Sequence, residues 1–211
     1  MENSSETEQL MARATAGDHR ALAELFEQNR GRLERMVRLR LDRRLQGRLD
    51  PADVVQEAYL ELTRRYPEYV ADPSLPFFLW LRTLTGQKLI DQHRRHLGAK
   101  MRDAGMEISI HRAGFPEASS ASLAEMLLGH LTSASHAAIR SETRLRVQDA
   151  LNTMDPIDRE VLVLRHFEML SNEETARVLN LKPSAASNRH LRALKRLKAI
   201  LAESDSSDTH R

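Results

Sequence analysis

Cysteine is absent from the 211-residue chain, which excludes disulfide-stapled folds, thiol nucleophiles and zinc sites with cysteine ligands. The longest apolar runs have four or five residues, far fewer than the roughly 20 that a membrane-spanning helix needs. The first ten residues, MENSSETEQL, are polar and acidic and do not form a signal peptide. We therefore predict a cytoplasmic protein that does not insert into a membrane.

Signatures of catalysis and metal binding are also missing. The sequence contains no G-x-S-x-G, P-loop or H-E-x-x-H motif. His93 and His96 are three residues apart, but Arg94 and Arg95 between them repel cations. We predict that the protein is not an enzyme and holds no metal or cofactor.

Glycine is scarce, arginine is abundant and helix formers dominate, which favours an all-α chain. Four of the eight glycines lie between residues 97 and 140, where the apolar periodicity of a helix is lost. The sequence predicts two small helical domains joined by a flexible linker. The limits are residues 1–96 for the first domain, 97–142 for the linker, 143–203 for the second domain and 204–211 for a polar tail.

Capping residues and apolar spacing place four helices in the first domain. Asp18 is a plausible N-cap, and Asp50 followed by Pro51 is a typical helix start. Tyr66-Pro67 predicts a helix end, because a proline disfavours helical geometry in the residue before it. The helices are predicted at residues 6–16, 18–47, 51–66 and 77–95.

The strongest local pattern lies in the second domain. Ser171 and Glu174 form a capping box before a short helix, and Asn180 tolerates the left-handed backbone of a tight turn. Pro183 then begins a longer basic helix that runs to about Leu201. This order predicts a helix-turn-helix that binds DNA. The alternative is an αα-hairpin with a basic face in solvent.

The second helix of this motif would enter the major groove. We predict that Ala186, Leu191, Leu194 and Leu197 face inward. Asparagine pairs with adenine and arginine with guanine, whereas lysine and other arginines grip phosphates. The candidate DNA contacts are Lys182, Ser184, Ser187, Asn188, Arg189, Arg192, Lys195 and Arg196.

The net charge of +2 is a sum of opposed blocks. Residues 30–48 hold eight basic and two acidic residues, and residues 82–102 hold six and one. Residues 50–72 hold six acidic and two basic residues, whereas 182–198 hold six basic and no acidic one. Basic blocks indicate a polyanion and the acidic block a basic protein surface, although each block alone also fits a solvated helix face. The role of the 30–48 block stays open.

Aromatic and basic residues occur together between Phe77 and Arg95. Unpaired bases stack on aromatic rings while cations neutralise their backbone, so this helix is a candidate for single-stranded DNA. The alternative is that Phe77 and Trp80, at helical spacing, belong to the core.

Several segments resemble bacterial RNA polymerase sigma factors. The similarity covers about residues 8–96 and 143–201, and two such blocks with a short linker resemble the small extracytoplasmic function class. The segments that carry it are Asp50-Pro51-Ala52-Asp53-Val54-Val55-Gln56-Glu57-Ala58, Phe77-Phe78-Leu79-Trp80-Leu81, Ile90-Asp91, Arg94-Arg95, Asp158 to Arg165 and Leu170 to Ala176.

The resemblance implies roles for these residues. The acidic helix would bind the clamp helices of the largest polymerase subunit, through Asp53, Gln56 and Glu57, with Glu61 on the same face. The next helix would open the promoter and capture bases of the −10 element on the non-template strand. The matching candidates are Trp80, Arg82, Gln87, Lys88, Asp91, Arg94 and Arg95.

The second domain would dock on the β-subunit flap and read the −35 element. An anti-sigma factor is a further candidate partner. We therefore expect a sigma factor that directs core RNA polymerase to promoters. The alternatives are a stand-alone helix-turn-helix regulator and, with less support, a metal-dependent nuclease that uses Asp53 and Glu57.

Overall fold

The computed structural model describes residues 2–97, 115–128 and 137–208. All regular structure in these residues is helical, which confirms the all-α prediction. The chain divides into two compact units, Met1–Pro116 and Glu117–Arg211. Much of the predicted linker, residues 98–114 and 129–136, lies outside the described residues, as does the end of the tail at 209–211.

Four helices build the first unit. They are α1 (Glu2–Thr15), α2 (His19–Arg40), α3 (Pro51–Ala71) and α4 (Phe77–Leu97). The side chain of Asp18 caps α2 by accepting from the backbone of Arg20 and Ala21, and Asp50 caps α3 through Ala52. Helix α2 packs against the other three helices, so it occupies the centre of the unit.

The core of the first unit lies between these helices. Leu25, Leu33 and Leu62 are fully buried on α2 and α3, and Leu81 reaches the same core from α4. Each buried leucine contributes about 1.5–3 kcal/mol through loss of apolar surface from water. The amphipathic spacing found in the sequence thus positions the outer faces of α3 and α4.

The predicted end of α2 near Gly47 is wrong, because the helix stops at Arg40. After it, the Asp42 side chain accepts a hydrogen bond from the Arg44 backbone at 2.9 Å. Such a local bond competes with helical hydrogen bonding. Leu45 and Leu49 then turn inward and are buried, so this turn closes over the core.

The predicted end of α3 at Tyr66-Pro67 is also wrong, because the helix continues through Pro67 to Ala71. Two buried tyrosines hold this last stretch in place. The Tyr66 hydroxyl donates to the Met11 carbonyl, and the Tyr69 hydroxyl donates to the Leu75 carbonyl, each at 3.1 Å. Tertiary contacts here outweigh the local effect of proline.

The second unit contains five helices and one π-helical turn among the described residues. They are α5 (Ser120–Leu128), α6 (Ala137–Asn152), α7 (Pro156–Leu162), the π-helical turn (Val163–Phe167), α8 (Asn172–Val178) and α9 (Pro183–Asp208). Helix α5 lies in the predicted linker, yet it packs on α6 and buries Leu123 and Ala124. Helix α9 packs on α6, α7 and α8.

The predicted helix-turn-helix is formed by α8, its turn and α9. Ser171 and Glu174 make the capping box, and Asn180 has a left-handed φ of 52°. The Leu181 amide donates to the Ala176 carbonyl at 2.8 Å, which ties the turn to α8.

One detail of the motif was predicted wrongly. Leu191 and Leu194 of α9 are 55% and 38% exposed, whereas Ala186 and Ala193 are buried. Small side chains let the axis of α9 come close to its neighbours, and the larger leucines then lie on the adjoining solvent face.

Candidate nucleic-acid interfaces

The exposed face of α9, together with Lys182 just before the helix, carries most of the side chains predicted to contact DNA. The exposed ones are Lys182, Ser184, Ser187, Asn188, Arg192, Lys195 and Arg196. Asn188 and Arg192 are four residues apart and therefore share one face of the helix. This face combines amide, hydroxyl, guanidinium and ammonium groups, the chemical types that read base edges and bind phosphates in protein–DNA complexes.

Arg189 is arranged differently from the other cations of α9. Its guanidinium lies 2.7 Å from a carboxylate oxygen of Asp158 and 3.8 Å from one of Asp155, both at the start of α7. The side chain therefore ties α9 to α7, a contact that the sequence pattern did not indicate.

A histidine pair also joins α9 to the π-helical turn. The Nε2 atoms of His166 and His190 lie 2.7 Å apart, so one ring donates and the other accepts. Burial is the main cause that lowers the pKa of both histidines, and neighbouring positive charge adds to it. His166 lies within the π-helical turn Val163–Phe167, and sequence periodicity gave no sign of that turn.

In the first unit, the acidic residues of α3 meet the basic residues of α4. The carboxylate of Glu61 lies 2.9 Å from the Lys88 ammonium, and this hydrogen bond is the main cause that lowers the pKa of Glu61. Glu57 accepts a hydrogen bond from Gln92 at 2.6 Å and lies 3.8 Å from the Arg95 guanidinium. We call this boundary between α3 and α4 the seam. Residues that were predicted to bind different partners thus pair with each other across it.

The outer edges of α3 and α4 remain exposed on either side of the seam. Asp53, Gln56 and Leu60 are exposed on α3, and Leu60 is 53% exposed beside the acidic side chains. Leu60 was not among the residues predicted from the sequence, although its spacing from Asp53, Gln56 and Glu57 places it on their face. On α4, the exposed candidates are Gln87, Asp91, Arg94 and Arg95.

The three aromatic residues of α4 differ in how deeply they are buried. Phe77 is buried, and half-buried Trp80 stacks on Tyr69 with 4.5 Å between ring centroids. Half-buried Phe78 lies under the Arg32 guanidinium, 3.5 Å from its ring centroid. The core interpretation therefore holds for Phe77, and Trp80 is both packed and partly accessible.

Arg82 is 3% exposed, so it is among the most buried of the predicted DNA contacts. Its guanidinium lies 4.2 Å from the ring centroid of Phe115. Phe115 belongs to the predicted linker, and nothing in the sequence pattern indicated that it would reach α4.

The structure separates the basic block at residues 30–48 into paired and exposed members. Arg30 pairs with Glu27 and Glu34 within α2. The hydrogen bond from Arg44 is the main cause that lowers the pKa of Asp42 to about 2. Exposed arginines of the block include Arg38, Arg43 and Arg48.

Among the described residues, no three His, Asp or Glu side chains converge as a metal site would require. His93 is buried, and its Nε2 accepts a hydrogen bond from the Asp42 amide at 3.3 Å. No helix in the described part of the chain is long and apolar enough to cross a membrane.

Comparison with known proteins gives matches to both units. The family model for sigma-70 region 2 matches residues 25–97, and that for sigma-70 region 4 matches residues 144–197. The extracytoplasmic function (ECF) sigma factor SigD of Mycobacterium tuberculosis is 30% identical over 197 residues, which are 93% of this chain and 84% of that protein. This chain belongs to the ECF sigma factors.

Two further proteins resemble this ECF sigma factor. The sigma factor CarQ of Myxococcus xanthus is 28% identical over 199 residues, 92% of this chain and 96% of that one. A solved structure of CnrH in complex with the cytosolic domain of CnrY matches with a TM-score of 0.54 and 24% identity, over 94% of this chain and 98% of that chain. The likeness to CnrH shows that the two chains share a fold.

Membership in this family assigns the general function. ECF sigma factors bind core RNA polymerase and promoter DNA and direct promoter-specific transcription, and the family consists of non-catalytic initiation factors. The matches to both region 2 and region 4 favour this function over a stand-alone helix-turn-helix regulator.

Proposed function

We propose that the exposed edge of α3 binds the clamp helices of the largest polymerase subunit, that α4 captures the −10 element, and that α9 reads the −35 element. The predicted domain limits, 1–96 and 143–203 on either side of a linker, underlie this division. The observation that carries it is the face of α9, where the base-reading side chains are exposed and Ala186 and Ala193 face the core.

Three exposed neighbours on α3 support the polymerase contact. Asp53 and Gln56 are exposed and polar, and Leu60 adds an apolar contact. Interfaces gain affinity from apolar groups surrounded by complementary polar ones. Glu57 and Glu61 contribute to the negative field of this edge while they pair with α4.

Charge reversal tests this contact. Asp53→Lys should abolish binding to core polymerase, because a basic partner surface would meet a positive charge. Glu24→Lys is the matched control, since Glu24 is an exposed acidic residue on α2. Equal polymerase binding by the two variants, with unchanged circular dichroism, would show that the clamp assignment is wrong.

For the −10 element, the accessible candidates are Gln87, Asp91, Arg94 and Arg95, with Trp80 partly accessible. Their polar and cationic groups and one aromatic ring suit unpaired bases on the non-template strand. Arg94→Ala should slow promoter opening by the holoenzyme, as followed by permanganate reactivity of unpaired thymines. An unchanged opening rate for both Arg94→Ala and Gln87→Ala would show that the assignment of α4 to the −10 element is wrong.

The second unit also has exposed apolar residues that suit the flap of the β subunit. Leu191 and Leu194 are exposed on α9, and Leu145 is 53% exposed on α6, which packs against α9. We propose that Leu145 and Leu194 bind an apolar element of the flap, whereas Leu191 lies on the face of α9 proposed to meet DNA. Leu194→Glu should then weaken crosslinking of the second unit to the β subunit, whereas Ala199→Glu, at another exposed position of α9, should not.

We also propose a cytoplasmic protein that is held inactive by a separate anti-sigma factor. The structure of CnrH with the cytosolic domain of CnrY provides a precedent in a protein of the same fold. Affinity purification of the tagged chain from its own host, before and after stress, tests the idea. A partner that leaves when transcription begins would support it.

One reconstitution tests the whole assignment. The chain is mixed with core polymerase, and run-off transcription is measured on a library of promoters with varied −10 and −35 elements. The expected result is a set of transcripts that share both elements. Failure to bind core polymerase would reject the proposed roles.

A further inference from the structure

Phe115 packs on α4 directly over a glycine, Gly86. A Cβ atom built on Gly86 would overlap the ring of Phe115. Glycine inside a helix costs stability because its backbone is more flexible than that of other residues. Gly86 is buried within α4, so its bare backbone serves as a seat for the ring.

Two buried arginines hold the same segment. The Arg82 guanidinium lies 4.2 Å from the ring centroid of Phe115, and that of Arg40 lies 5.7 Å from it. Arg40 also donates a hydrogen bond to the Pro116 carbonyl at 2.8 Å. Each arginine is 3% exposed. A glycine seat, two cation–π contacts and a hydrogen bond therefore converge on Phe115 and Pro116.

We propose that Phe115 and Pro116 form an intramolecular clasp that is closed in the free protein and opens when the sigma factor binds its promoter. The proposal rests on the proposed use of α4 at the −10 element. In the closed state the clasp covers Arg82, one of the candidate DNA contacts.

The length of the chain gives a second reason for opening. When the clasp is closed, Phe115 lies at Gly86, which is about 16 Å from Leu97 along α4 at 1.5 Å per residue. The 18 positions from Leu97 to Phe115 could span about 60 Å if extended. Elements centred at −10 and −35 are separated by roughly 85 Å of duplex. A closed clasp fixes Phe115 on α4, so these 18 positions add nothing to the distance that the chain can span between α4 and the second unit, and opening releases that length.

Two substitutions disrupt the contact between Phe115 and Gly86, one in each of the two residues. Phe115→Ala removes the ring, and Gly86→Ala fills its seat while keeping the ring. Gly31→Ala is the matched control, because Gly31 lies on α2 and a Cβ there would meet nothing within 4 Å. Alanine favours helix, so neither glycine variant weakens its own helix.

The closed state is tested on the free full-length chain labelled with fluorophenylalanine. The chain has five phenylalanines, and Phe115→Ala assigns the fluorine signal of Phe115. We expect this signal to be shifted from that of free phenylalanine in the wild type and in Gly31→Ala, and to return to it in Gly86→Ala. An unshifted wild-type signal would overturn the proposal, whatever the polymerase experiments show.

Opening is tested by promoter affinity of the reconstituted holoenzyme. A clasp closed in about nine molecules of ten lowers the apparent affinity about tenfold. Phe115→Ala and Gly86→Ala should therefore bind promoter about five- to tenfold more tightly, and Gly31→Ala should match the wild type. Equal or weaker binding by both clasp variants would overturn the proposal. A holoenzyme that never forms would instead count against the proposed function.

Discussion

Helices α4 and α9 carry the cations predicted to meet DNA, and they present them differently. On α9, Lys195 and Arg196 point into solvent, and Arg189 is paired with α7. On α4, Arg82 is buried and Lys88 is paired with Glu61 of α3. A basic block in the sequence therefore identifies a cationic helix, whereas the helices packed against it determine which of its charges are available.

The largest expected effect separates the two units. Leu164→Ala empties a fully buried position in the second unit and should cost about 2–5 kcal/mol of its folding free energy. Because the units are compact bodies of their own, calorimetry should show one transition lowered and the other unchanged. Core polymerase binding through the first unit should persist while −35 binding falls.

Leu191→Ala is the control for this substitution, since an exposed leucine should change stability by no more than about 0.5 kcal/mol. A single transition that shifts as a whole in Leu164→Ala would contradict the independence of the two units.

The next effect concerns base reading by α9. Arg192→Ala and Asn188→Ala should each weaken binding to the −35 element by about 1–3 kcal/mol, roughly 5- to 150-fold, and relax the preference at one base pair. Lys195→Ala should instead weaken binding to all sequences and reduce the salt dependence. Titrations against a set of −35 variants make the distinction. Uniform losses in every variant would show that α9 binds only the backbone.

A smaller effect is expected at the seam between α3 and α4. The Glu61–Lys88 pair is partly exposed, and a double-mutant cycle of stability should give about 0.2–1 kcal/mol. Glu61→Gln should also free Lys88 and raise the affinity for single-stranded −10 DNA by a small factor. Glu24→Gln serves as control. Unchanged single-stranded binding in both variants would assign Lys88 a purely structural role.

The smallest expected effect is a dependence of stability on pH. Burial lowers the pKa of His166, His190 and His93 in the folded protein, compared with about 6.5 in the unfolded chain. The unfolded state thus binds more protons, and the stability gained from the neutral histidines is complete above pH 6.5 and lost as the pH falls.

Thermal unfolding between pH 7.5 and 5.5 measures this dependence. His166→Asn should reduce the pH dependence of the transition of the second unit and leave that of the first unit unchanged. A steeper dependence in the variant would contradict the neutral histidine pair.

Local patterns predicted much of the fold. The capping box at Ser171 and the left-handed turn at Asn180 depend on near neighbours, so the sequence alone predicted them. The end of α3 depends on Tyr66 reaching Met11, 55 positions away. The buried face of α9 also depends on tertiary packing, because Ala186 and Ala193 are buried there and Leu191 and Leu194 are exposed.

The candidate interfaces likewise combine features that could be predicted from the sequence with contacts that could not. Charge and motif spacing are properties of the chain, so they were sufficient to predict which helices carry opposite charges and that the motifs follow the order of an ECF sigma factor. Three contacts became visible only in the folded chain: Lys88 pairs with Glu61, Arg189 pairs with Asp158 of α7, and the Phe115 ring packs on Gly86. Each of these contacts joins residues distant in sequence, and their partners are chosen by packing.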